Sequence, residues 1–180
     1  MTRPTHFSYP VIPDRFYAGE YPGAKSAAEG QQKVTAMVQA GITAFIDLTE
    51  ADELAPYAQW LPSQVVHERH PIRDVSIPSD VSRTVGILAS IDRHLSAGRG
   101  VYLHCWGGIG RTGVIVGCGL SSRQGLQADA ALTRLAELWR ECPKSARRPQ
   151  SPETAEQRRY VQDWHIVEAA LSKPSPGVAA

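Results

Sequence analysis

Cysteine, net charge and long apolar runs are all scarce in this chain, and each scarcity closes off a class of protein. Three cysteines in 180 residues, an odd number without framework spacing, exclude a disulfide-stapled scaffold and point to free thiols in a reducing compartment. Nineteen Lys and Arg against eighteen Asp and Glu leave a formal charge of +1, which predicts no general affinity for nucleic acid or acidic membranes. No run approaches the ~18 apolar residues that span a bilayer, and the opening MTRPTHFSYP has no apolar signal core, so the expected location is cytoplasmic. There is no internal repeat. The biased segments are the Pro/Ser/Gly/Ala tail from Lys173 and a basic loop around Arg147. The expectation is one domain over residues 1–172 and a flexible tail over 173–180; no pattern speaks to oligomeric state.

What the chain does have is concentrated in residues 101–113, VYLHCWGGIGRTG. The first four are β-branched or aromatic enough for a buried strand, and the sequence from Arg111 is apolar enough for a buried helix. Between them lie Cys105, Trp106, Gly107, Gly108, Ile109 and Gly110. A glycine-rich loop at a helix N-terminus gathers backbone N–H groups and the positive end of the macrodipole at one point, which suits a dianionic phosphate. The same field favours a thiolate at Cys105 over the thiol. Arg111, planar and permanently charged, grips two phosphate oxygens where lysine grips one.

The pattern His104, Cys105, five residues, Arg111, Thr112, Gly113 resembles the signature loop of the cysteine-dependent protein tyrosine phosphatases. The chain is too short for the larger receptor-type catalytic domain, so the compact dual-specificity branch is the closer likeness. The resemblance implies Cys105 as nucleophile and Arg111 as the phosphate clamp. Trp106, Gly107, Gly108, Ile109 and Gly110 would supply phosphate-binding backbone N–H groups. Thr112 would donate its hydroxyl to the Cys105 sulfur, and His104 would order the loop by bonding to backbone.

Along the chain, residues 11–19 (VIPDRFYAG) read as an extended element interrupted by Pro13. A helix is expected over 27–40 with Gly41 as its stop, then a buried strand over 43–48 containing Asp47, which accepts hydrogen bonds from a neighbouring loop. Residues 53–60 allow one or two helical turns. In the resembling family this region walls the substrate cleft, which makes Tyr57 and Trp60 candidate contacts for an aromatic substrate, with simple packing as the favoured role. A strand over 65–70 sends His67 and His70 to opposite faces, so no metal site is assigned.

Expelling an alkoxide or phenoxide requires a proton donor, and a carboxylic acid on a movable loop supplies one. Asp74, in HPIRDVSIP, stands where the family carries its general acid. The tryptophan that marks this loop in the larger enzymes is absent, and the Pro-Ile-x-Asp pattern is similar to the cyclin-dependent-kinase-associated phosphatase group. Asp80 is the rival acid, but Ser79 or Asp80 also suits the N-cap of a helix over 81–95. Further helices are expected over 126–139 and from Ser151, whose Ser-Pro-Glu reads as a helix start. The stretch 151–164 resembles the family's last helix, where Gln157 would lie near the arginine and water. Cys118, thirteen positions after Cys105 and inside a helix rising ~1.5 Å per residue, is core filling and not a disulfide partner.

Alternating strands and helices predict an α/β fold of the protein tyrosine phosphatase type: a single-domain, parallel-dominated sheet of four to five strands with helices on both faces. The implied activity is hydrolysis of phosphate monoesters, foremost protein phosphotyrosine and secondarily phosphoserine or phosphothreonine, through a cysteinyl-phosphate. No cofactor is needed, since Arg111 and the helix terminus supply the positive charge. Lysines that lipid-phosphate phosphatases place between cysteine and arginine are absent, which disfavours phosphoinositides. Competing readings are a small-metabolite phosphatase, a rhodanese-like sulfurtransferase and a non-catalytic phosphoprotein-binding module.

Overall fold

The computed structural model describes residues 3–171; the tail expected over 173–180 lies outside them. Five strands form one sheet in the order β1-β2-β5-β3-β4. These are β1 Ser8–Ile12, β2 Phe16–Gly19, β3 Ile42–Asp47, β4 Val66–Arg69 and β5 Gly100–His104. Only the β1–β2 pair is antiparallel; β2–β5, β5–β3 and β3–β4 are parallel. The α/β expectation holds.

Both faces of the sheet are covered, which is why its strands read as apolar runs. Side chains alternate with the pleat. Phe16, Ala18, Ala44, Ile46, Val101 and Leu103 enter the larger core. Tyr17, Phe45 and Tyr102 enter a smaller one with Val34 and Met37 of helix α1, Ala27–Gln39. The larger core is closed by α2 Val81–Ser96, α3 Gly110–Gln124, α4 Asp129–Trp139 and α5 Ala155–Leu171. Trp139 and Trp164 are each 1% exposed within it, a burial that contributes roughly 2–3 kcal/mol per side chain. None of the described helices is long and apolar enough to cross a membrane.

Four boundaries differ from expectation, each for a local reason. Residues 11–19 form a hairpin rather than one interrupted strand, because Asp14 adopts a left-handed φ of 62° and turns the chain back. Of residues 53–60 only Ala58–Trp60 is helical, as a single 3-10 turn, since Pro56 restricts the residue before it. Helix α4 starts at Asp129, not Leu126, because Gly125 ends α3 in the left-handed region and the Leu126 carbonyl accepts from Ser121 Oγ at 2.7 Å. Helix α5 starts after Thr154. Gln157 N–H donates to Thr154 Oγ1 at 3.1 Å and Thr154 N–H donates to Gln157 Oε1 at 3.3 Å, a reciprocal capping box.

The topology carries the loops after β2, β5, β3 and β4 to one edge of the sheet, at the strands' carboxyl ends. The loop after β5 is central among them.

Candidate active site

The β5–α3 loop lies at the base of a cleft of about 670 Å³. Cys105 and Arg111 both line it although they are only 3% and 2% exposed. The loop's close seat explains its glycines. Gly108 has φ of 74°, and a Cβ there would stand 2.3 Å from the carbonyl carbon of Gly19. At Gly110 a Cβ would meet the Glu153 carboxylate at 2.4 Å. Helix α3 begins at Gly110, so its first-turn N–H groups face the cleft without helical partners.

Arg111 is held by Glu53, Ile72 and Asp74. Its Nη1 donates to Glu53 Oε2 at 2.7 Å and to the Ile72 carbonyl at 3.0 Å, and Nη2 donates to Glu53 Oε1 at 2.5 Å. The same Nη2 lies 2.8 Å from Asp74 Oδ1. Burial would raise the Glu53 carboxyl's pKa, but the hydrogen bonds from Arg111 outweigh it and hold the group below its ordinary range. Glu53 was not anticipated from sequence. The available signal was that a buried arginine needs a carboxylate, but nothing in the spacing selected Glu53 among its acidic neighbours.

Asp74 lines the cleft together with Cys105, on a loop bent through Val75, a residue that has φ of 56° and is 56% exposed. A β-branched residue in that region stores about 1–3 kcal/mol of strain. Asp80 is elsewhere: its carboxylate caps α2, accepting from Arg83 N–H at 2.9 Å. Gln157 does not line the cleft. It is fully buried and donates to the Ser76 carbonyl at 2.9 Å, so it ties α5 to the Asp74 loop instead of meeting Arg111.

His104 lies beneath the loop with no exposure. Its Nδ1 is 3.2 Å from the Cys105 carbonyl and its Nε2 is 2.7 Å from Tyr57 Oη. A carbonyl only accepts, so Nδ1 carries the proton and Tyr57 donates to Nε2. Burial holds the imidazole neutral, with a pKa lowered to about 4. The loop-ordering bond to backbone is therefore present. Tyr57, at 1% exposure, belongs to the smaller core, and Trp60 packs against Gly30 of α1; packing, not cleft lining, is the role of both. The Thr112 hydroxyl is buried and makes no hydrogen bond in this structure, to the Cys105 sulfur or to any other group, which leaves one polar atom beside the loop without a partner.

Asp47 serves its neighbours as expected, accepting from Thr49 N–H at 2.9 Å, from Thr49 Oγ1 at 2.6 Å and from Arg69 Nη2 at 3.1 Å. His67 pairs with Asp47, and His70 pairs with Glu68. Among the described residues no group of three or more His, Cys, Asp and Glu is arranged to hold a metal. Cys118 and Cys142 are free and buried; burial pushes the Cys118 thiol well up.

A family model described as "Tc-R-P: Polymorphic toxin system, DSP-PTPase phosphatase" matches residues 18–124, more than half of the chain. The chain belongs to that family. The match runs from β2 through α3 and so contains the whole β5–α3 loop, Glu53 and Asp74 of this dual-specificity-type phosphatase domain. "Putative tyrosine phosphatase 067L" of Invertebrate iridescent virus 3 is 30% identical over 115 residues, which is 61% of this chain and 44% of that relative. The chain thus spans less than half the length of that curated relative. Among solved structures, Tk-PTP in its active form is 24% identical with a TM-score of 0.66, over 88% of this chain and 96% of that one. Kinase associated phosphatase is 19% identical with a TM-score of 0.71, over 91% and 95%. The human tyrosine phosphatase-like serine/threonine/tyrosine-interacting protein is 20% identical with a TM-score of 0.68, over 92% and 99%. These likenesses concern the fold.

Proposed function

We propose that this chain hydrolyses phosphate monoesters, with protein phosphotyrosine as the leading substrate class and phosphoserine and phosphothreonine as secondary ones, through a cysteinyl-phosphate. The observation that carries the reading is the convergence of Cys105, Arg111 and Asp74 on one cleft, with Asp74 Oδ1 2.8 Å from Arg111 Nη2. The substrate class rests on depth and rim. Cys105 is 3% exposed on the floor, whereas Trp106 at the edge is 58% exposed, an arrangement suited to a long, flat aryl phosphate.

The arriving phosphate takes the loop N–H groups and the Arg111 fork, and Asp74, displaced from Arg111, takes up a proton from solvent and turns toward the ester oxygen. Cys105 Sγ attacks phosphorus in line, the S–P bond forms and the P–O bond to the leaving group breaks. Asp74 delivers its proton to the departing oxygen. Water then attacks phosphorus, Asp74 takes its proton, and the S–P bond breaks to release inorganic phosphate and the thiolate. Glu53 keeps Arg111 aimed throughout, and the unpartnered Thr112 hydroxyl is available to the sulfur as it leaves. Electrostatic stabilisation by preset donors is the largest contribution such a site makes.

The test is turnover of para-nitrophenyl phosphate and of a phosphotyrosine peptide by the wild type, Cys105→Ser and Asp74→Asn, without added metal and with vanadate as inhibitor. Wild type turns over both and vanadate blocks it; Cys105→Ser is inactive; Asp74→Asn loses about 10²–10⁴-fold on the peptide. A wild type that is folded and reduced yet inert defeats the reading.

A further inference from the structure

Lys144 belongs to the basic loop and was not assigned a role by the signature pattern. It sits in the 3-10 turn Pro143–Ala146, and its Nζ donates to the Gly107 carbonyl at 3.0 Å while pairing with Glu20 Oε2 at 2.8 Å. Lys33 of α1 takes the other carboxylate oxygen of Glu20 at 2.8 Å and the Tyr21 carbonyl at 3.0 Å. Tyr21 N–H in turn donates to the Trp106 carbonyl at 2.9 Å. On the α5 side, Ser151 Oγ donates to the Ile109 carbonyl at 2.8 Å.

In a trans peptide the C=O and N–H of one unit point in opposite directions. The carbonyls of 106, 107 and 109 share their peptide planes with the N–H groups of Gly107, Gly108 and Gly110. Donors that pull those carbonyls outward therefore aim those three N–H groups the other way, into the loop's concavity. None of the N–H groups of residues 106–110 donates to a backbone carbonyl among the described residues. The 107–108 unit most needs such a hold. Flipping it rotates ψ of Gly107 and φ of Gly108, two torsions with no Cβ to restrain them.

We infer that Lys144 is a positioning residue: held by Glu20, whose other carboxylate oxygen Lys33 braces, its ammonium locks the Gly107–Gly108 peptide so that the Gly108 N–H faces the bound phosphate. The inference rests on the proposed phosphatase reading of the loop. It differs from a general attraction of anions by a cleft cation, because the lock acts through one hydrogen bond to one carbonyl. Lys25 and Arg148 also line the cleft, but no loop carbonyl accepts from them.

The experiment compares the wild type, Lys144→Met, Lys144→Arg, Glu20→Gln and Arg148→Gln for para-nitrophenyl phosphate kinetics, vanadate inhibition constant and melting temperature. Wild-type activity is the separate check on the phosphatase reading, and its absence overturns that reading before Lys144 is tested. With an active wild type, Lys144→Met weakens vanadate and lowers kcat/KM by about 10- to 100-fold, below the roughly 10²–10³-fold of losing an oxyanion donor outright because the Gly108 N–H is misaimed and not removed. Lys144→Arg, which can still donate to the Gly107 carbonyl, recovers most of the loss. Arg148→Gln changes the inhibition constant less than about twofold, and the Lys144→Met defect persists at high salt, where a field effect is screened. If Lys144→Met fails to fold, Glu20→Gln decides the matter: it keeps the ammonium but releases its brace, and weakens vanadate in the same direction. Folded Lys144→Met with wild-type vanadate affinity overturns the inference. So does a defect that vanishes at high salt, or one that Lys144→Arg does not relieve.

Discussion

At the scale of single residues, the charge arithmetic around Arg111 is the controlling fact. The guanidinium is 2% exposed, and the bidentate Glu53 pair with the Asp74 contact compensates it. Only one of these carboxylates has another task, since Asp74 is the proposed acid. Replacing Glu53 by Gln should therefore expose an undercompensated buried charge and cost about 3 kcal/mol, with a loss in kcat/KM from a misaimed fork. A bound oxyanion supplies negative charge at the same place. Differential scanning fluorimetry should then show Glu53→Gln melting below the wild type and rising more than the wild type on saturation with vanadate. Equal melting in the absence of vanadate would show that Glu53 is dispensable.

At the scale of elements, α5 does two separable jobs through one capping box. Thr154 closes the helix start, and Gln157 both returns a bond to Thr154 and reaches the Ser76 carbonyl beyond Asp74. Loss of the Thr154 hydroxyl removes an N-cap worth about 1 kcal/mol. Thr154→Ala should lower the melting temperature by about 2–4 °C in a chain of this size while leaving kcat nearly unchanged. Gln157→Ala also frees the acid loop. Its kcat should drop about three- to tenfold on a phosphoserine peptide, whose alkoxide must be protonated to leave, and little on para-nitrophenyl phosphate, whose phenolate leaves without help. Parallel losses on both substrates would place the defect outside the acid loop.

Across the whole molecule, stability should depend on pH through groups buried under the site. His104 is fully buried and its pKa falls from 6.5 to about 4, with desolvation the largest cause. Between those values the unfolded chain binds the proton and the folded chain does not, so stability decreases as pH falls from 6.5 toward 4. The span corresponds to about 3 kcal/mol. Asp47 adds to the loss at lower pH. Burial opposes its charge, yet hydrogen bonds from His67 and Thr49 hold the carboxyl far below its usual value, so its contribution is present above the ordinary carboxylate range and disappears below it. Urea unfolding at pH 7.5, 6 and 5 should give falling midpoints at constant slope; an unchanged midpoint at pH 5 would contradict the buried neutral His104.

The local pattern determined the parallel sheet and the strand–loop–helix carrying Cys105 and Arg111, and together with the family resemblance it picked out the Asp74 loop. Each is encoded in neighbouring residues: apolar strand periodicity, glycines between nucleophile and arginine, and a proline-bounded acid. Asp80 as a cap and Asp47 as an acceptor were legible for the same reason, since their partners lie on the same or the next element. The tertiary structure decided what depends on distant segments meeting. Glu53 reaches Arg111 across 58 residues, Lys144 reaches Gly107 across 37 and Gln157 reaches Ser76 across 81. For Tyr57 the sequence left packing and substrate contact both open, and the fold settled on packing by turning it inward to His104. Hydrogen bonds and ion pairs act over a few ångströms of space, and sequence separation carries no measure of that distance until the sheet order has brought the loop ends together.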